Sequence, residues 1–159
     1  MAKASLNTGI SVVRHAPGAP GLRLIGLGPR LLPRMGLVKL EMFLKKHAFW
    51  ANNRKKNDLR QMLANSSVVI SLWKKRQIIG FGRATSDSIY RAVLWDVVVA
   101  DEVQGLGLGK IVVNALLEAP AVKNTERVYL MTTNSQEFYE QLGFQKFNKQ
   151  SLMIRSIKD

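Results

Sequence analysis

The chain contains no cysteine, which excludes a disulfide framework, a thiolate nucleophile and any Cys-ligated zinc or iron–sulfur site. Its two histidines, His15 and His47, are too few for the usual three-ligand catalytic zinc site without carboxylate help, so no metal is expected. Long apolar runs are missing as well. The candidates Ala92–Trp95 and Val97–Ala100 are strand-length, far short of the ~20 residues of a membrane helix, and no membrane partner is expected. Acidic residues are absent before Glu41. What remains is 159 residues, 47% hydrophobic and 22% charged, enough for one domain with a buried core and too apolar for wholesale disorder.

The formal charge of +13 is unevenly spread: residues 1–60 hold 12 Lys/Arg against two acids, and residues 61–159 hold 12 against nine. Such an excess attracts polyanions, so contact with nucleic acid or a ribosome through the basic N-terminal region is one expectation. A solvated basic segment is the plainer one. Residues 1–21, with Pro17, Pro20, Gly9, Gly18 and Gly21, read as a flexible basic tail, leaving 22–159 as a single domain. The absence of cysteine fits a reducing compartment, and the cytoplasm is expected. The plastid stroma replaces it if the Arg-containing, acid-free start is a transit peptide.

Leu22–Leu27 is a short strand candidate. Leu37, Leu40, Phe43 and Leu44 recur at helical spacing after Pro33, and Asn57-Asp58 offers a cap for a second helix bearing Leu59, Met62 and Leu63. Three β-type runs follow, Val68–Trp73, Gln77–Thr85 and Ala92–Ala100, and their short links predict an antiparallel meander. After Gln104-Gly105-Leu106-Gly107-Leu108-Gly109-Lys110, a helix carries Leu108, Ile111, Val112, Ala115 and Leu116 on one stripe and stops at Pro120. Glu126–Met131 reads as a strand. Asn134 and Glu137 resemble a capping box, Phe138 and Leu142 an inward pair, and Gly143 a C′ glycine. Phe144–Phe147 and Ser151–Ile157 close the chain as strands. The fold class is α/β (α+β).

A glycine-rich link from strand to helix presents free N–H groups to an anion, reinforced by the helix dipole. It is not a Walker A loop, because Gln104 stands for the first glycine and Ile111 for the Ser/Thr. It is not the dinucleotide fingerprint either, since Lys110 occupies the last glycine position. A tight turn alone would not need three glycines.

Gln104-x-x-Gly107-x-Gly109 resembles the pyrophosphate loop of the GNAT superfamily of N-acetyltransferases. Phe138-Tyr139-Glu140-Gln141-Leu142-Gly143-Phe144 is similar to that family's late F-Y-x-x-x-G-F segment. Ile79–Asp87 with Leu94–Val99 resembles the cyanobacterial and plastid branch, which includes plastid serotonin (arylalkylamine) N-acetyltransferases. The resemblance covers residues 68–147 well and 22–66 loosely. It implies a mixed, mostly antiparallel sheet flanked by about four helices, and acetyl-CoA as cosubstrate. It places that cosubstrate against Gln104 to Lys110 (Gly105, Leu106, Gly107, Leu108 and Gly109 between them) and the backbone of Val97, Val98 and Val99. Asn134 is a further candidate, five residues before Tyr139 and so closer than in many members. The tyrosine at the Tyr139 position protonates the departing thiolate in that family.

The implied reaction is transfer of acetyl to a primary amine, an arylalkylamine such as serotonin among them, by direct attack in a ternary complex. The alternatives are a protein N-terminus or lysine as acceptor, and a non-catalytic RNA- or ribosome-binding module; monomer and homodimer are both open. Period two sets Val93, Trp95, Val97 and Val99 on one face of the third run and Leu94, Asp96 and Val98 on the other. A carboxylate between apolar neighbours would have its pKa raised toward that of a base, or else pair with Arg83 or Arg91. Asp96 is therefore the candidate base and Trp95 a wall for an aromatic acceptor. Arg83 and Thr85, with Ser86 and Asp87, are candidates for the acceptor side. His47 is expected to be an ordinary buried or surface histidine rather than a base.

Overall fold

The computed structural model describes residues 9–15 and 33–156. Five strands form one sheet in the order β1-β2-β3-β4-β5: β1 Ile10–Arg14, β2 Val68–Lys74, β3 Gln77–Ser86, β4 Arg91–Val99 and β5 Arg127–Tyr129. The first three pairings are antiparallel and the last is parallel. Five helices accompany the sheet among the described residues: α1 Pro33–His47, α2 Lys56–Ala64, α3 Leu108–Leu117, α4 Pro120–Lys123 and α5 Gln136–Glu140. The mixed, mostly antiparallel α/β architecture matches the expectation, with one helix more than the four implied.

The amphipathic stripes do what their spacing dictates. Leu37, Leu40, Phe43 and Leu44 of α1 and Leu59 and Leu63 of α2 are buried. From α3, Leu108, Val112, Val113 and Leu116 are buried, with Ile111 and Ala115 packed at the margin. Strand β3 meets α3 through Gly82, where a Cβ would lie 2.6 Å from Val112 Cγ1. The missing side chain lets the helix sit directly on the strand.

Several local expectations are corrected. Residues 10–14 are not part of a loose tail: Ile10–Arg14 pairs along its length with Ile70–Lys74, and His15 behind it is 2% exposed. The flanking glycines and prolines hide a five-residue strand. The Leu22–Leu27 strand candidate lies outside the described residues. Helix α2 begins at Lys56 with Lys55 as N-cap and no side-chain cap, so Asp58 falls in its first turn rather than before it, where a carboxylate still favours the helix dipole. Pro120 does not merely stop α3; it opens the single turn α4 as its first residue.

Strand Glu126–Met131 shrinks to three residues. Phe144–Phe147 and Ser151 onward are irregular as far as residue 156, and Leu152, Met153 and Ile154 are exposed. An alternating pattern specifies faces, but a strand also needs an edge to pair with. The Asn134–Glu137 box is absent: Ser135 is the N-cap of α5 and no side chain caps it. Gly143 fares as expected, at φ +88°. Its N–H bonds to Glu140 O and that of Phe144 to Tyr139 O, the two bonds of a Schellman C-cap.

Candidate functional site

Strand β5 pairs with β4 only at Arg91, Ala92 and Val93 and ends at Tyr129, while β4 runs on to Val99. From Leu94 onward the outer edge of β4 has no strand neighbour among the described residues. In an antiparallel strand, alternate N–H and C=O groups face away from the paired neighbour. The Val97–Val99 stretch therefore presents backbone donors and acceptors to an open wedge.

Beyond Val99 the chain makes a 3₁₀ turn at Asp101–Val103 and enters the glycine loop. Gly105 (φ +76°) and Gly107 (φ +79°) are both left-handed, and a Cβ at either would meet nothing within 4 Å. Backbone conformation and open space, not packing, call for glycine here. Gly107 is the N-cap of α3 and supplies no side-chain cap. The first intrahelical bond is Ile111 N–H to Gly107 O, so the N–H groups of Leu108, Gly109 and Lys110 begin the helix without intrahelical partners. Lys110 and Leu106 are exposed beside them. Gln104 braces the loop from within: its Nε2 donates to Asp101 Oδ1 (3.0 Å) and to Val99 O (3.5 Å).

Gly109 has a different reason. A Cβ there would stand 3.1 Å from Phe138 Cζ, so the ring of Phe138 packs on the first turn of α3. Tyr139, its neighbour, is half-buried with its ring edge-on to Phe138 (4.9 Å between centroids) and to Phe144 (5.9 Å). Burial raises its phenol pKa above the usual value. A glycine on the first turn of α3 thus makes room for Phe138, with Tyr139 edge-on beside it. Asn134 is exposed and accepts a hydrogen bond from Ser135 Oγ, which gives no contact to the loop.

Across β4 the period-two reading fails at one point. The register runs Ala84↔Leu94 and Arg83↔Trp95, then Phe81↔Val98 and Gly80↔Val99. Asp96 and Val97 together oppose Gly82, a β-bulge with Asp96 at φ +52°. The extra residue swaps the faces. Val97 lies on the α3 side, its Cγ2 3.6 Å from where a Cβ on Gly82 would be. Trp95 and Asp96 lie with Arg83 on the opposite side.

There Asp96 is neither solvated nor unpaired. Its side chain is 4% exposed, and Oδ2 accepts from Arg83 Nε at 2.7 Å and Arg54 Nη1 at 2.8 Å. Oδ1 accepts from the Trp50 indole at 3.3 Å. Burial pushes the carboxyl pKa up, as the sequence suggested. The hydrogen bonds and charges of Arg54 and Arg83 outweigh it, and the net shift is downward. Such a carboxylate is a held anion and a poor base.

The acceptor-side candidates do come together. Trp95 Nε1 donates to Thr85 Oγ1 at 2.8 Å, and the Arg83 guanidinium lies 5.6 Å over the Trp95 ring. Arg83 also donates to Ser66 Oγ at 3.4 Å. Asp87 stands apart: its Oδ1 accepts the N–H groups of Ile89, Tyr90 and Arg91 and organises the β3–β4 turn, and those bonds lower its pKa. Ser86 Oγ donates to Ala121 O.

Sequence reasoning missed Arg54, Trp50 and the His47 cluster. The His47 side chain is 5% exposed, with Nδ1 3.0 Å from Asp101 Oδ2 and Nε2 3.8 Å from Glu102 Oε2. Lys46 pairs with Glu102. No local spacing signals contacts that span 42 to 56 residues. Among the described residues no group of His, Asp or Glu is arranged to hold a metal, and no helix is long and apolar enough to cross a membrane. Most of the acid-free start, on which the nucleic-acid expectation rests, falls outside the described residues.

The β4 edge left open after Val93 thus adjoins a glycine loop that no side chain caps, with Phe138 packed on the first turn of α3. Residues 39–144 match the Acetyltransferase (GNAT) family, and the chain belongs to it. It is similar to the uncharacterized N-acetyltransferase ycf52 of Pyropia yezoensis, 40% identical over 89 residues, 53% of this chain and 51% of that protein. It is also similar to GCN5-related N-acetyltransferase 2, chloroplastic, of Arabidopsis thaliana, 34% identical over 121 residues, 71% of this chain and 45% of that one. The chain spans about half the length of these curated relatives. A solved putative acetyltransferase from Deinococcus radiodurans R1 shares the fold, with a TM-score of 0.70 at 22% identity over 93% of this chain and 89% of that one.

Proposed function

We propose that the protein transfers an acetyl group from acetyl-CoA to a primary amine by direct attack within a ternary complex. The observation that carries the reading is the parting of β4 from β5 after Val93, directly beside an uncapped, glycine-conformed helix start. The site fits the cosubstrate. Open space over Gly105 and Gly107 admits a pyrophosphate to the N–H groups opening α3, and the Val97–Val99 edge lies where a thioester arm would run as an added strand. Bound there, acetyl-CoA supplies an activated acyl group.

The chain's own groups then act as follows. An N–H of the Val97–Val99 edge holds the carbonyl oxygen as it becomes an oxyanion. The Tyr139 hydroxyl, kept protonated by burial, gives its proton to the departing sulfur. Asp96 holds Arg54 and Arg83 and takes no proton. An alkylamine has a pKa of ~10, so roughly one molecule in 10²–10³ is unprotonated near pH 7–8; that fraction is the nucleophile, and its proton leaves through the open acceptor side.

Acceptor choice falls to the aromatic and cationic groups on that side. Trp95 and Trp50 flank the Arg83–Asp96 pair, and Phe49 stands edge-on to Trp50 at 5.0 Å. These walls favour an arylalkylamine over a protein amine. The chloroplastic relative supports the plastid stroma over the cytoplasm. Release of free thiol from acetyl-CoA should be followed across arylalkylamines, polyamines and peptide N-termini. Turnover is expected to be fastest with the arylalkylamines and to rise with pH as the free amine increases. Turnover confined to peptides would transfer the reading to a protein acceptor.

A further inference from the structure

Positive φ is uncommon for a residue with a side chain, and rarer inside a strand. Asp96 sits at φ +52° in the middle of β4, immediately before the edge proposed to meet the acyl group. Three donors hold its carboxylate there. Arg83 comes from the neighbouring strand. The other two arrive from the segment joining α1 to α2: Trp50 from the single 3₁₀ turn at Phe49–Ala51, and Arg54 from the loop ahead of α2. Arg54 is itself placed, its Nη1 3.6 Å from Met62 Sδ on α2. Two guanidiniums on one carboxylate oxygen exceed what charge neutrality requires, and the second of them crosses from helix layer to sheet.

We infer that Arg54, aided by Trp50, is a positioning residue for acetyl transfer: through Asp96 it clamps the β4 bulge, fixing the direction of the Val97–Val99 backbone donors. The inference rests on the acetyl-transfer reading of this site. A donor at a developing oxyanion is useful only when held close to its productive geometry. A bulge, having lost ladder bonds, is the part of β4 least able to hold itself. Neither a guanidinium nor an indole takes a proton from an amine near neutrality, so a loss on substituting either is not the loss of a base.

The test compares wild type with Arg54→Met, Arg54→Lys and Trp50→Phe, reading the backbone amides of Val97, Val98 and Val99 by NMR alongside kcat and KM. In Arg54→Met these amides should exchange faster, while those of the β1–β2 ladder stay as in wild type. Its kcat should fall by about 10- to 100-fold at every pH, with KM for acetyl-CoA within about threefold because the glycine loop is untouched. Trp50→Phe should show a smaller loss of the same kind, and Arg54→Lys should recover most of kcat. Unchanged amides or unchanged kcat in Arg54→Met would overturn the inference. So would a deficit that disappears at high pH, which is the behaviour of a missing base. Should wild type bind acetyl-CoA yet acetylate no acceptor, the transfer reading alone fails. The clamp is then judged by whether acetyl-CoA shifts the Val97–Val99 amides in wild type and not in Arg54→Met.

Discussion

Tyr139 and Asp96 were nominated by the same sequence, and the folded chain treats them oppositely. Burial is the dominant influence on the tyrosine and raises its pKa; it acts on the aspartate too but loses to two guanidiniums. Tyr139→Phe should keep the contacts with Phe138 and Phe144 and lower turnover by roughly 10²- to 10⁴-fold. Acetyl-CoA affinity measured by calorimetry should change little, and full turnover in the variant would make water the proton source.

His15 provides a separate reading at this scale. It is buried behind β1, its Nε2 2.8 Å from Ser71 Oγ, which also accepts from Trp73 Nε1, and Nδ1 has no partner. Burial lowers its pKa to about 4. The unfolded chain, with an ordinary histidine near pH 6.5, therefore binds the proton first. His15 leaves stability intact above pH 6.5 and removes roughly 3 kcal/mol progressively as pH falls through about 4. Thermal melting followed from pH 7 to 4 should show this decline, and His15→Gln should flatten it. The Asp96 pairs begin to lose their contribution only as pH falls into the ordinary carboxylate range and on toward the lowered folded pKa, so the decline between about pH 6.5 and 5 belongs to His15.

At the scale of elements, what was legible and what was not divides on physical grounds. The stripes of α1, α2 and α3 and the β2–β3–β4 meander follow from local periodicity and short links, and they form as expected. The glycine loop was legible because backbone chemistry demands the residue type: Gly105 and Gly107 are left-handed. The β4 bulge was not, since period two carries no sign of an inserted residue, and the faces of Trp95, Val97 and Val99 were accordingly misassigned. Strand β1 was obscured by the glycines and prolines around it. The last two strands were expected from pattern alone, and among the described residues neither pairs with the sheet.

Gly109 links these elements. Adding a Cβ at 3.1 Å from Phe138 Cζ requires the ring to give by a few tenths of an ångström against the edge-on Tyr139, while the helix itself gains a better helix former. Gly109→Ala should thus lower kcat by more than tenfold with a melting temperature within a few degrees of wild type. A variant with unchanged kcat would show that Phe138 yields without moving Tyr139.

For the molecule as a whole, the sheet serves as a frame that opens on one side. Its antiparallel part, from β1 to β4, is closed by ladders, with β2 buried on both faces; its parallel part ends after three residues. The open β4 edge and the glycine loop adjoin where that closure stops, and Phe138 packs there with Tyr139 beside it. The Arg54–Asp96–Arg83 cluster stiffens β4 from the other face. Positive charge remains in excess over the whole chain, which favours approach of an anionic cosubstrate. Calorimetric titration of acetyl-CoA into wild type and Gly107→Val tests this account most directly. A β-branched side chain is strained at φ +79° and would occupy the open space proposed for the pyrophosphate. Wild type should bind with a Kd in the micromolar range, about −8 kcal/mol, and the folded Gly107→Val at least tenfold more weakly. Equal affinity in the two proteins, or no heat with wild type, would contradict it.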